Sequence, residues 1–126
     1  MKPEDQRIAI AKSIGWQISK EGGATIVYKP NDSQGVGYMG DSPHDPKILK
    51  LLPDFCNDLN AMHRAEESLL EQGLQDKWLD ELVEVVVGEN VHWSDYHCFP
   101  QVNRATAAQR AEAFLRTLGK WETQTT

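Results

Sequence analysis

The chain has 126 residues, 40% of them hydrophobic and 25% charged, with a net charge of −6. That balance fits one soluble globular domain, and the acidic excess argues against broad nucleic-acid binding, in which Lys and Arg must replace the counterions condensed on phosphates. No apolar run approaches the ~18 residues of a membrane span, and the start, MKPEDQRIAI, is too charged for a signal peptide, so the expected setting is the inside of a cell without membrane attachment.

Residues 4–14 are predicted to form a short helix: Ile8, Ala11 and Ile14 share a stripe that Ile10 widens, and Gly15 is placed to end it. WQIS (16–19) and ATIVYK (24–29) read as strands joined by KEGG, a glycine-containing hairpin connection. In the second, Thr25, Val27 and Lys29 alternate with Ile26 and Tyr28. PNDSQ supplies turn chemistry, VGYM returns as a third antiparallel strand, and DSPHDP, with two prolines, is expected to be irregular.

The second half reads as helical. PDFCNDLNAMHRAEESLLEQG spaces Phe55, Leu59, Met62, Ala65 or Glu66, and Leu69 as one stripe, with Asp54 or Asn57 as the cap and Gly73 as the stop. LQDKWLDELVEVVVG sets Trp78 or Leu79, Leu82 and Val86 on one face, although its valine run costs side-chain freedom in a helix. NVHWSDYHCFPQVN is an aperiodic connection rich in aromatics. The last helix has the sharpest start: Thr106 and Gln109 have capping-box spacing, Ala108, Ala111, Leu115 and Leu118 form its stripe, Phe114 broadens it, and Gly119 ends it. Residues 122–126 have nothing to bury and are expected to fray. The sum is one α+β domain over 1–121, with a meander of two or three strands and three or four helices.

Charge is segregated along the chain. Glu66, Glu67, Glu71, Asp76, Asp80, Glu81, Glu84 and Glu89 face a single base, Lys77, whereas Arg104, Arg110, Arg116 and Lys120 outweigh Glu112 near the end. Two readings follow: helix faces that attract each other or a neighbouring subunit, or an acidic surface that meets a basic partner.

GVGYMG (35–40) matches G-x-G-x-x-G, but a dinucleotide turn must leave a strand directly and open a helix. PNDSQ precedes the motif, and Pro43 and Pro46 forbid a continuous helix after it, so a glycine-rich hairpin is expected. Gly37 and Tyr38 stay as candidate contacts for a small anion. In HWSDYHC, His92, His97 and Cys98 are potential zinc ligands, but the second ligand pair that structural sites usually show is missing. His63 precedes Glu66 and Glu67 by three and four residues, which suits a local ion pair or, inside a pocket, an acid–base pair. Cys56 beside Phe55 reads as core; with Cys98 it makes no disulfide framework, and both suit a reducing compartment as thiols. Trp16 and Trp121 each follow a helix-ending glycine and are expected to fold back onto the core. No catalytic residue or cofactor is indicated.

IAIAKSIGW (8–16), LPDFCNDLNAMHRAE (52–66) and ATAAQRAEAFLRTLGKW (105–121) resemble a group of small bacteriophage proteins similar to the phage ABA sandwich domain family. The resemblance implies a two-layer or αβα sandwich encoded by a phage or prophage and working in the host cytoplasm, and it brings no catalytic residues. Within those blocks Asp54, Asn57, Asp58, Asn60 and His63 are the candidate ligand-binding positions, with helix capping as the competing role. The expected function is that of a non-enzymatic accessory protein that counters a host or defence protein by contact or sequesters a small signalling nucleotide; the alternatives are a nucleotide-acting enzyme using His63 or the His92/His97/Cys98 region, and a self-associating, homo-oligomeric structural or assembly module.

Overall fold

The computed structural model describes residues 1–30, 35–38, 46–88, 102 and 104–122. In chain order the elements are α1 (Pro3–Ser13), β1 (Gln17–Glu21), β2 (Ala24–Tyr28), β3 (Gly35–Tyr38), α2 (Pro46–Leu49), α3 (Leu59–Glu71), α4 (Gln75–Val86) and α5 (Ala107–Thr117). The fold is α+β: a three-stranded antiparallel meander, in the order β1-β2-β3, packed with helices. Glu21 pairs with Ala24, which leaves a two-residue turn at Gly22 and Gly23. Both have positive φ, 57° and 83°, as the hairpin turn that matches strand twist requires.

β2 buries Thr25 and Val27 and leaves Ile26 and Tyr28 only half covered, as its alternation predicts. Val27 joins the main core with Ile10 and Ala11 of α1, Ile48 of α2, Met62 and Leu69 of α3, and Phe114 and Leu115 of α5. A second cluster holds Leu82 and Val83 of α4, Ala113 of α5, Val102 and Ala105. α5 thus lies between two cores and is buried around more of its girth than a single stripe provides. Ala113 and Thr117 are buried, whereas Ala108, expected in the stripe, is exposed.

The predicted capping box of α5 is present: Thr106 Oγ1 accepts from the Gln109 backbone N–H at 3.1 Å, and Gln109 Oε1 accepts from the Thr106 N–H at 2.9 Å. Trp16 and Trp121 do pack back on the main core. At the end of α1 the Trp16 N–H reaches the Ala11 carbonyl at 3.0 Å, which reverses the chain there.

Three expectations need correction. α3 begins at Leu59 and is capped by Asp58, not by Asp54 or Asn57, so Phe55 is buried from the turn before the helix rather than from its stripe. Leu59, placed in that stripe, is 42% exposed. Pro46 opens the short helix α2 instead of prolonging an irregular segment, because a proline at the first helical position loses no intrahelical hydrogen bond. Among the described residues no helix is long and apolar enough to cross a membrane.

Candidate functional site

Two clefts divide the candidate residues. The first, about 250 Å³, lies where α3, α4 and α5 meet and is lined by His63, Glu66, Glu67, Leu70, Trp78 and Arg110. Its centre is an ion pair between helices distant in sequence: Arg110 Nη1 is 3.0 Å from Glu66 Oε2 and 3.2 Å from Oε1. The two side chains are only 13% and 7% exposed. The Arg110 guanidinium carbon also lies 5.9 Å from the centre of the Trp78 ring, within cation–π range. Burial pushes the Glu66 carboxyl up to about 7 against the opposing pull of Arg110. Trp78 Nε1 and Arg110 Nε are buried and meet no hydrogen-bond acceptor among the described residues.

Helical spacing explains this placement. Ala61, Met62, Ala65 and Leu69 pack inward on α3, and Glu66 shares their side, so its carboxylate enters the helix junction where α5 presents Arg110. His63 and Glu67 are exposed and stand at the rim. His63, Glu66 and Glu67 therefore do share a cleft, but the buried partner of Glu66 is Arg110. Sequence reasoning missed that pair; the available signal was the opposite charge of the 66–89 and 101–120 segments. A second contact of the same kind runs from Arg116 Nη1 to Glu84, at 3.8 Å, while Arg116 Nε holds Glu112 at 2.8 Å. The attraction between the two segments is thus internal to the chain at these points.

The second cleft, about 370 Å³, lies between α1, α2 and the turn before α3 and includes Glu4, Arg7, Lys50, Asp54 and Asn57. Arg7 organises it by donating through Nε to the Pro53 carbonyl at 3.0 Å and through a terminal nitrogen to the Leu52 carbonyl. Asn57 Nδ2 donates to both Asp54 carboxylate oxygens at 3.2 Å. Behind it, the Cys56 thiol donates to Gln6 Oε1 at 3.3 Å, and burial, reinforced by Asp54, pushes it up to about 11. A thiol that far above neutrality is a poor nucleophile. Arg7 and Gln6 carried no sequence signal, because their partners are a backbone and a thiol more than forty positions away.

The remaining candidates have structural duties or lie elsewhere. Asp58 Oδ1 accepts from the Asn60 and Ala61 backbone N–H groups at 3.0 and 3.3 Å, which makes it the helix cap. Asn60 is exposed on the first turn of α3. Gly37 and Tyr38 belong to β3, paired with Ile26 and Thr25 of β2, so the middle of GVGYMG is a strand and not an anion-cradling turn. At Gly35 a Cβ would come within 2.8 Å of Tyr28 Cε1 and closer still to Ile26, so the first glycine of the motif leaves room for its cross-strand neighbours. His92, His97 and Cys98 lie outside the described residues, as does His44; within them no group of three His, Cys, Asp or Glu side chains is placed to hold a metal.

No family model, curated protein or solved structure matches the chain.

Proposed function

We propose that the chain is a non-enzymatic accessory binding protein of phage or prophage origin, acting in the host cytoplasm by contact with a host or defence protein. The cleft between α3, α4 and α5 supports this reading. It combines Trp78 and Arg110, residue types that dominate binding hot spots, with the exposed Leu70 at its edge. Glu67 lines it, and Glu71 and Asp76 are also exposed on the same two helices, α3 and α4, an acidic surface that suits a partner with basic side chains better than the phosphates of a nucleotide. Contact with a protein is therefore better supported than nucleotide sequestration.

The test is affinity capture from bacterial lysate with the wild-type chain and a Glu71→Lys/Asp76→Lys variant, alongside native mass spectrometry of the purified protein. A partner enriched by the wild type and lost by the variant is the expected result. A retained nucleotide, or a capture profile unchanged by the charge reversal, overturns the reading.

The enzymatic alternative draws on one observation, that Glu66, raised to about 7, shares a cleft with His63. Its carboxylate is already clamped by Arg110, which leaves His63 as the exposed reagent. A His63→Ala chain that keeps the full phage phenotype ends that alternative.

A further inference from the structure

The cleft between α1, α2 and the turn before α3 is separate from the one assigned to a protein partner, and its charged groups have no part in that reading. Glu4 and Arg7 line it from α1, Lys50 from just past the end of α2, and Asp54 from the turn. Opposite charges lining one small cleft ordinarily pair. Here, among the described residues, no ion pair joins any two of these four groups.

The two inner charges are held by neutral partners instead. Arg7 spends the side-on edge of its guanidinium on consecutive backbone carbonyls, donating through Nε to Pro53 and through Nη2 to Leu52. Its end-on edge, Nη1 with the second Nη2 hydrogen, stays open, and that fork matches a carboxylate. Asp54 accepts at both oxygens from the Asn57 amide, which fixes the carboxylate without neutralising it. Charges of both signs converge at the Cys56 thiol behind the cleft: burial and then Asp54 push it up, Arg7 opposes them, and Glu4 adds to the rise.

This lining selects a ligand by charge. An anion that meets Arg7 and Lys50 also meets Glu4 and Asp54, and a metal ion or simple amine faces the converse conflict. An apolar molecule strips water from four charges and returns nothing. A molecule carrying one charge of each sign satisfies both sets, and the four groups together are formally neutral. At about 370 Å³ the cleft is at the lower end of small-molecule sites.

We infer that this cleft binds a small zwitterion of the α-amino acid class, with its carboxylate on the open edge of Arg7 and toward Lys50, and its ammonium toward Glu4 and Asp54. The inference does not depend on the proposed host partner. Arg7 and Asp54 are in place before the ligand arrives, whereas Glu4 and Lys50 are exposed and gain little from each contact they make. Affinity is therefore in the millimolar range, about 1 mM.

Thermal shift and amide NMR titration of the full chain with each standard L-amino acid, up to about 20 mM, test the inference. The expected result is that at least one raises the melting temperature, as a ligand of the native state must, and moves the amide signals of Glu4, Arg7, Lys50, Asp54 and Asn57. Its N-acetyl derivative and its methyl ester, each lacking one of the two charges, bind at least about fivefold more weakly. Glu4→Gln and Lys50→Gln, at exposed positions, keep the far-UV circular dichroism spectrum of the wild type and weaken binding several-fold. No response to any amino acid overturns the inference, as does a response confined to signals outside the cleft. Equal binding of the ester or the acetylated form, or unchanged binding by both variants, overturns it too.

Discussion

Arg110 of α5 closes on Glu66 of α3 at 3.0 Å across 44 residues of sequence, and the Glu66 carboxylate is all but removed from solvent. This contact ties the two oppositely charged halves of the C-terminal region together and forms the base of the cleft assigned to binding. Removing two charges from water is costly, and their attraction recovers that cost only while both partners remain.

Arg110→Met is therefore expected to destabilise the fold by about 3 kcal/mol, since it strands a buried carboxylate. Glu66→Met/Arg110→Met should recover most of that loss, because an apolar pair of similar volume needs no compensation. Urea denaturation at pH 8 of the wild type and the two variants measures both, and equal losses in single and double variants would contradict the account.

The same burial gives stability a pH dependence with a definite sign. Glu66 titrates near 4.5 when unperturbed and at about 7 in the fold, so between those values the native state holds a proton that the unfolded chain has released. Its contribution is full below about 4.5 and declines as pH rises through about 7. Relative to Glu66→Gln, the wild type should lose on the order of 1–3 kcal/mol between those two pH values. Chemical denaturation of both chains across the window isolates this group, since the other titrating residues are common to them. A difference that is flat or rises with pH counts against it.

Gly35→Ala should lower stability by about 1–2 kcal/mol, because the added methyl forces Ile26 and the Tyr28 ring out of their places across the β2–β3 pair. Ile26→Ala in the same background, which removes the nearest of the clashing atoms, should make the glycine substitution markedly milder. Thermal melts of the four chains in that cycle decide it; equal costs of Gly35→Ala with and without the Ile26 side chain would show that it does not set the requirement.

Asp58→Ala removes the carboxylate that holds the first N–H groups of α3, at an expected cost of about 1 kcal/mol. Asp58→Asn, which can still accept, should cost less, and neither should alter capture of a partner. A selective loss of partner capture in a folded Asp58→Asn chain would give this residue a binding role besides capping.

Local rules made much of the chain legible. Two-residue alternation marked β2, two adjacent glycines marked the hairpin turn, and Thr106 with Gln109 announced the start of α5, because each depends on neighbours within a few positions. The same rules identified GVGYMG as strand and turn material rather than a dinucleotide site, and the pairing of Gly35–Tyr38 with β2 agrees. They misplaced the start of α3, where Asp54, Asn57 and Asp58 are all plausible caps and only the accepted hydrogen bonds select Asp58.

What periodicity could not supply was the identity of partners. Charge segregation foretold an attraction between two segments but not that Arg110 would meet Glu66, or that Trp78 would lie beneath the same guanidinium. Nor did it separate Asp54 and Asn57 from His63 into different clefts, or show that Leu59 is exposed. Sequence by itself determined where the chain turns, pairs and coils, since those choices are made by short-range sterics and backbone hydrogen bonds. Only the tertiary structure decided which side chains lose their water together, because burial depends on how whole helices pack, and burial is what gives Glu66 and Arg110 their chemistry.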